Sequence, residues 1–388
     1  MAGERQAGGV YTCGLCVFFL VCGTWNSVSA KLLFHTYGDT PDGGRQLFKK
    51  PWFQVWAMFL GMFLTSIPIM VGRLRKKLQN LEPSPLAVGE KMPSVICKIA
   101  VPAGCDLIAT FLQNVALVFI NASIWQMLRG SIIIFVALIR YLYLKKKTKL
   151  YEMAGIAMIF FGLLIVGSSS LVTPTVGTGP ETSTATKLIG VFLMFLAQLT
   201  QALQSVVEEK ILCNISADPT FVVAVEGFWG LVLVTAIFMP LAQTLPGEDG
   251  TGIHENVFPE DFYMWSHNAQ IFRISLLFIV VVMVYNVTGM MITQVTHATT
   301  RNVVDGCRTF CVWATMVILH FFSDDYGEPL GWWSLIQAAG FLLLVLGMFV
   351  YNKILQLPCA ALYVPDAQDV RTVSDGRQDG NLELIGEK

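Results

Sequence analysis

The sequence predicts an all-α membrane protein with ten transmembrane helices arranged as two inverted five-helix repeats. Three observations lead there. The 388 residues are 54% hydrophobic and only 14% charged, with a mean hydropathy of +0.59, whereas a soluble domain carries roughly a quarter charged residues. Charges this sparse would not cover a water-soluble globule. The apolar residues also fall into long runs, and a membrane-crossing helix needs about 20 of them. Finally, the two halves of the chain match one another.

The runs span residues 10–33, 51–71, 94–120, 122–144, 151–170, 188–211, 220–245, 271–295, 299–322 and 332–354. Runs three and four meet around Asn121, and runs eight and nine around His297, which predicts two tight helical hairpins. Residues 1–9 form a short cytosolic N-terminus. The helical domain covers 10–355, in halves 10–170 and 187–355. Residues 356–388 are predicted to be a disordered cytosolic tail, because their last stretch is rich in Asp, Gly, Gln, Arg and Glu.

Basic residues set the orientation, since they collect on the cytosolic flanks of membrane helices. The side of both termini holds Arg73, Arg75, Lys76, Lys77, Lys145, Lys146, Lys147, Lys149, Lys210 and Lys353. The opposite side has Lys31, Arg45, Lys49, Lys50, Lys187 and Arg273, together with acidic loops such as Glu248-Asp249 and Asp324-Asp325. Both termini are therefore expected in the cytosol. The first run ends in Val28-Ser29-Ala30, which also fits a signal-peptidase site; the internal repeat favours an uncleaved helix. The nine cysteines lie mostly inside apolar runs, so no disulfide framework is expected.

Ala122, Gln126, Arg129 and Gly130 match Ala298, Asn302, Asp305 and Gly306 in order and spacing. Ala154-Gly155 with Gly162 matches Ala339-Gly340 with Gly347, and Lys31 matches Lys210. The chain thus reads as five spans plus five. An odd number per half makes the second half enter the membrane from the opposite face, the usual build of secondary transporters. The glycines at 155, 162, 340 and 347 are expected to let spans five and ten pack closely.

An ionisable side chain at the centre of a membrane helix costs about 2.5–3.5 kcal/mol. Asp106, Arg129, Glu226, Arg301, Asp305 and Arg308 all fall inside runs, so unpaired they would cost on the order of 15–20 kcal/mol together. They must pair or face water. Arg301, Asp305 and Arg308 form one helical stripe, as do Asp106, Thr110 and Gln113, and Gln198, Gln201, Ser205 and Glu208. Such stripes are expected to point inward; for the glutamines the alternative is simple interhelical hydrogen bonding. Arg129 and Asp305 are counterparts of opposite charge and are expected to interact, directly or through water. Glu209 reads as a solvated helix end.

Several classes are excluded. A net charge of −1 gives no basic excess for a nucleic-acid partner. No phosphate-loop or H-E-x-x-H motif is present, so no cofactor and no metal are expected. No nucleophile-and-base constellation points to an enzyme.

Asn26-Ser27-Val28-Ser29-Ala30-Lys31, Cys105-Asp106-Leu107, Gln126-Met127-Leu128-Arg129-Gly130, Glu208-Glu209-Lys210, Val225-Glu226-Gly227 and Thr299-Thr300-Arg301 with Asp305 and Arg308-Thr309 occur in family order. On these segments the chain resembles the drug/metabolite transporter superfamily, within it the F-subgroup branch of solute carrier family 35 that contains member F-six. The resemblance implies ten helices in two inverted repeats, a central cavity, alternating access with gating hairpins, and an endomembrane or lysosomal setting. The near-dileucine stretch at 379–385 points weakly the same way. Chloroquine-resistance-transporter relatives are similar too, but their loop between spans seven and eight carries cysteines. Residues 246–270 here contain none, which argues for a place outside that branch.

The expected activity is secondary transport of a small organic solute, with proton coupling through Asp106, Glu208 or Glu226, and Arg129, Arg301 or Arg308 meeting an anionic group. The candidate set is Asn26, Asp106, Gln113, Gln126, Arg129, Gln198, Gln201, Glu208, Glu226, Arg301, Asp305 and Arg308. Expected partners are the solute and the lipid bilayer, with a second copy of the chain and tail-binding cytosolic proteins as further candidates. The alternative is a non-transporting membrane scaffold that recruits partners through its tail and loops.

Overall fold

The computed structural model describes residues 9–34, 36–79, 92–119, 128–144, 149–172, 184–214, 217–247, 249, 254–322, 332–351, 353, 355, 356 and 358. Its long helices are α1 (Gly9–Phe34), α2 (Pro51–Leu78), α3 (Met92–Phe119), α4 (Ile132–Leu144), α5 (Leu150–Val172), α6 (Thr184–Asn214), α7 (Pro219–Thr244), α8 (Ala269–Val295), α9 (Ala298–Phe322) and α10 (Trp332–Tyr351). Among the described residues, α1, α2, α3, α6, α7 and α8 are each long and apolar enough to cross a membrane, and α4, α5 and α10 contribute shorter apolar stretches. The chain is an all-α, multi-pass membrane protein. The turn around Asn121, residues 1–8 and nearly all of the predicted tail lie outside the described residues.

Local chemistry explains the helix ends and breaks. Asp218 caps α7 by accepting from the Phe221 amide at 3.1 Å, with Pro219 in the first turn, where its missing N–H is no loss. Further along α7 the helix widens into a π turn at Val234–Phe238 just before Pro240, which cannot donate to the preceding turn. α2 bends at Thr65, whose hydroxyl donates to the Met62 carbonyl at 2.6 Å. The helix then continues to Leu78, beyond the expected end near residue 71. No side chain of Ser66–Leu78 is buried, and Arg75, Lys76 and Lys77 fill its last turn. These long basic residues form helices readily and carry their charge away from the apolar surface.

A two-stranded hairpin, β1 (Tyr37–Asp39) against β2 (Arg45–Leu47), fills the connection from α1 to α2; the sequence reading had no strand there. The α8–α9 hairpin is as tight as expected, with only Thr296 and His297 between the helices.

Packing runs between the halves. α1 packs on α8 and α3 on α6; α2 packs on α8 and α3 on α7; α1 packs on α9 and α4 on α6. α2 meets α7, α4 meets α9, and α5 meets α10 over its length. The α5–α10 contact depends on glycine. A Cβ on Gly155 would lie 2.8 Å from the Gly347 carbonyl oxygen, and one on Gly162 would lie 2.9 Å from the Gly340 carbonyl oxygen.

Candidate functional site

Where α3, α6, α7 and α9 converge, three carboxylates surround one guanidinium. Asp106 from α3, Glu208 from α6 and Glu226 from α7 are all buried and interact electrostatically with one another and with Arg301 of α9. Arg301 Nη1 donates to Glu208 Oε2 at 2.5 Å. Gln204, one helical turn before Glu208, donates from Nε2 to Glu208 Oε1 at 2.8 Å and to Glu226 Oε1 at 3.3 Å. Its own Oε1 is buried without a hydrogen-bond partner. Asp106 makes no hydrogen bond or ion pair among the described residues, although Arg129 contributes to its field. Gly289 of α8 makes room for the arginine: a Cβ there would come within 3.0 Å of Arg301 Nε.

A second group lies between α1, α8 and α9. Asp305 accepts from the Tyr285 hydroxyl and pairs with Arg308, whose Nε lies 3.2 Å from Asp305 Oδ1. Arg308 also lies over the Tyr285 ring, 5.3 Å from its centroid, and Phe19 stacks on that ring at 4.5 Å. Arg129 interacts electrostatically with both Asp305 and Arg308. The stripe Arg301, Asp305, Arg308 is therefore divided between two groups.

Glu209 belongs to neither group and is not a solvated end. It is 7% exposed, accepts from the Ala298 amide at 3.1 Å and from His297 Nδ1 at 3.0 Å, and lies 3.7 Å from Arg140 Nη2. A carboxylate here satisfies the unpaired N–H groups at the start of α9 and matches the positive end of its dipole. Arg140 in turn donates to Thr299 Oγ1 at 2.6 Å.

The remaining candidates divide. Gln113 Nε2 donates to Gln201 Oε1 at 3.0 Å, tying α3 to α6. Gln198 is buried with its Nε2 unpartnered, and Asn26 is half-buried with Oδ1 unpartnered. Gln126 lies outside the described residues. The sequence reading missed Gln204, Tyr285 and Arg140. Gln204 stands at i−4 from Glu208, and the relation matching Lys31 to Lys210 also matches Asp106 to Tyr285, so both were reachable.

This helical architecture recurs. A solved crystal structure 11% identical in sequence superposes with a TM-score of 0.56 over 89% of this chain and 98% of its own, a likeness of fold alone. Solute carrier family 35 member F6 of Rattus norvegicus is 29% identical over 348 residues, 88% of this chain and 88% of its own length, and that of Homo sapiens is also 29% identical. An uncharacterized protein of Schizosaccharomyces pombe is 32% identical over 269 residues, 68% of this chain and 76% of its own. The chain belongs to this transporter family. Residues 86–260 match the family described as CRT-like, chloroquine-resistance transporter-like. The cysteine-free loop therefore does not separate this solute carrier family 35 member F6-like chain from that group, contrary to the sequence-based expectation.

Proposed function

We propose that the protein is a secondary transporter of a small organic solute, working by alternating access and coupled to protons. The observation that carries this reading is the buried group of Asp106, Glu208 and Glu226 around the single guanidinium of Arg301. Three ionised carboxylates so close in a dry interior repel one another. The group therefore holds and releases protons, or a cationic part of a solute, more readily than a fully paired cluster does. Arg301 and Arg308 already face Glu208 and Asp305; an anionic group on the solute would engage them by displacing those carboxylates.

The packing supports two inverted five-helix repeats. Exchanging each helix for the one five places on leaves the cross-packing pairs given above unchanged. The same exchange carries Gly155 against Gly347 onto Gly340 against Gly162. Alternating access in inverted repeats moves one bundle against the other about a central site, where helices α3, α6, α7 and α9 meet here. Cytosolic termini and an endomembrane, lysosomal setting complete the reading.

Purified protein in proteoliposomes, offered a metabolite mixture under an imposed pH gradient, tests it. Accumulation of a solute that follows the gradient, and loss of that dependence in Asp106→Asn and Glu226→Gln, is the expected result. No accumulation of any solute under either gradient direction, with partners that co-purify only while residues 356–388 are present, would replace this reading with a scaffold.

A further inference from the structure

On the membrane face where the α1–α2 and α7–α8 connections meet, a second ionisable cluster lies outside the spanning segments. Lys50, immediately before α2, is 1% exposed despite its charge. Its ammonium lies 2.5 Å from Asp249 Oδ2, 2.9 Å from Asp261 Oδ1 and 3.4 Å from Glu260 Oε1. Glu260 also accepts from Gln46 of β2. Beside this, Glu255 reaches across to the start of α2 and accepts from the Trp52 amide at 2.8 Å and the Phe53 amide at 2.9 Å. Together these contacts fasten the α7–α8 connection onto the first turn of α2. His254 is turned away, with Nδ1 at 2.7 Å from the Leu245 carbonyl, and Asp249 Oδ1 is occupied by the Asn256 amide.

The charges do not balance. Three carboxylates, Asp249, Glu260 and Asp261, face one ammonium, and a fourth, Glu255, adjoins Asp261. Glu255 and Asp261 are both 0% exposed and in direct side-chain contact. Two ionised carboxylates cannot share such a site at low cost, so a proton between them is the simplest remedy. The Lys50 ammonium, 2.9 Å from Asp261 Oδ1, compensates one charge of the pair and leaves the second uncompensated.

We infer that the Glu255–Asp261 pair is a proton-binding site separate from the one inside the bundle, and that the bound proton fastens the clasp between the α7–α8 connection and the start of α2. The inference does not depend on the transport reading. Burial pushes Asp261 up to about 6 against the opposing pull of its contacts with Glu255 and Lys50, and burial together with the Asp261 carboxylate pushes Glu255 well above its ordinary range. The clasp is then closed in acid and loosens as the pH rises and the pair loses its proton, which leaves Glu255 and Asp261 both charged in one buried contact.

Hydrogen exchange at the Trp52 and Phe53 amides reads the clasp directly, with the full chain in lipid nanodiscs and rates corrected for intrinsic pH dependence. Protection is expected to fall by up to about a hundredfold between pH 4 and pH 7.5, tenfold for each unit by which Asp261 is raised above its ordinary 3.8. In Asp261→Asn, protection should stay high and flat, because the amide removes the second charge while Glu255 keeps both backbone contacts. Glu255→Gln serves as the second variant: its amide donates to Asp261 as the proton does, so its remaining backbone contact should also be pH-independent. Flat protection in the unmodified protein, or an unchanged pH profile in either folded variant, would overturn the inference.

Discussion

Gly155 of α5 and Gly347 of α10 face each other backbone to backbone: a Cβ on either would lie within 2.9 Å of the other's carbonyl oxygen. Nothing flexible stands in the way, so an added methyl must push the helices apart. Overpacking of this kind costs about 1–3 kcal/mol. Gly155→Ala and Gly347→Ala should each lower the unfolding temperature of the purified protein. Gly14→Ala should leave it in place, because nothing lies within 4 Å of a Cβ there.

Glu209 joins three helices at one end of the bundle, through Ala298, His297 and Arg140. Glu209→Ala removes the cap on α9 and leaves the Arg140 guanidinium without its carboxylate. Loss of buried hydrogen bonds to a charged group costs about 1.5–3 kcal/mol each, so a clear drop in thermal stability is expected. Glu209→Gln should retain part of it, since its carbonyl oxygen still accepts from the Ala298 amide. Equal losses in the two variants would mean that the charge, not the cap, matters.

The helices were legible in the sequence because lipid demands uninterrupted apolar runs, and eight of the ten expected runs begin and end within a few residues of a helix; α2 continues past its expected end to Leu78, and the fourth run begins outside the described residues. The α1–α2 hairpin was not legible: Tyr37–Asp39 and Arg45–Leu47 are too short to carry an alternating pattern. At the candidate site, helical spacing brought Asp106, Glu208 and Arg301 to the interior but could not say which charges meet. Arg301 and Asp305 lie one turn apart, yet Arg301 reaches α6 while Asp305 turns to Tyr285 of α8. Such choices depend on how neighbouring helices are rotated. Glu209 was misread because its partners at His297 and Ala298 come from a hairpin far along the chain.

Stability should also depend on pH through the Lys50 clasp. Glu255 and Asp261 are raised above their unfolded values, so the folded protein binds more protons than the unfolded chain at mildly acidic pH. The Asp261 contribution is present below about 4 and is lost as pH climbs through about 6, and that of Glu255 has the same sign. Lys50 is raised as well; its contribution is full below its ordinary 10.5 and fades only in stronger alkali. Unfolding temperature should therefore fall between pH 4 and 7 and then level off. Asp261→Asn should flatten that fall, and Lys50→Met should lower the curve at every pH below 10.

The Arg301–Glu208 pair decides whether the inner cluster behaves as a unit. Removing one partner of a buried ion pair costs about 3–5 kcal/mol because it strands the other charge, whereas removing both is much milder. In Arg301→Gln, Glu208 loses its guanidinium while Asp106 and Glu226 stay close, so three carboxylates remain with only the field of Arg129 on Asp106 to offset them. In Glu208→Gln, Arg301 keeps only weaker attraction to the other two. The double variant removes both charges and keeps the two remaining carboxylates no closer than before. Its loss of thermal stability should thus be smaller than the sum of the single losses by roughly 2 kcal/mol or more. Strict additivity would show that the two side chains act independently despite their 2.5 Å contact, and the acid cluster would then lose its place as the shared coupling site.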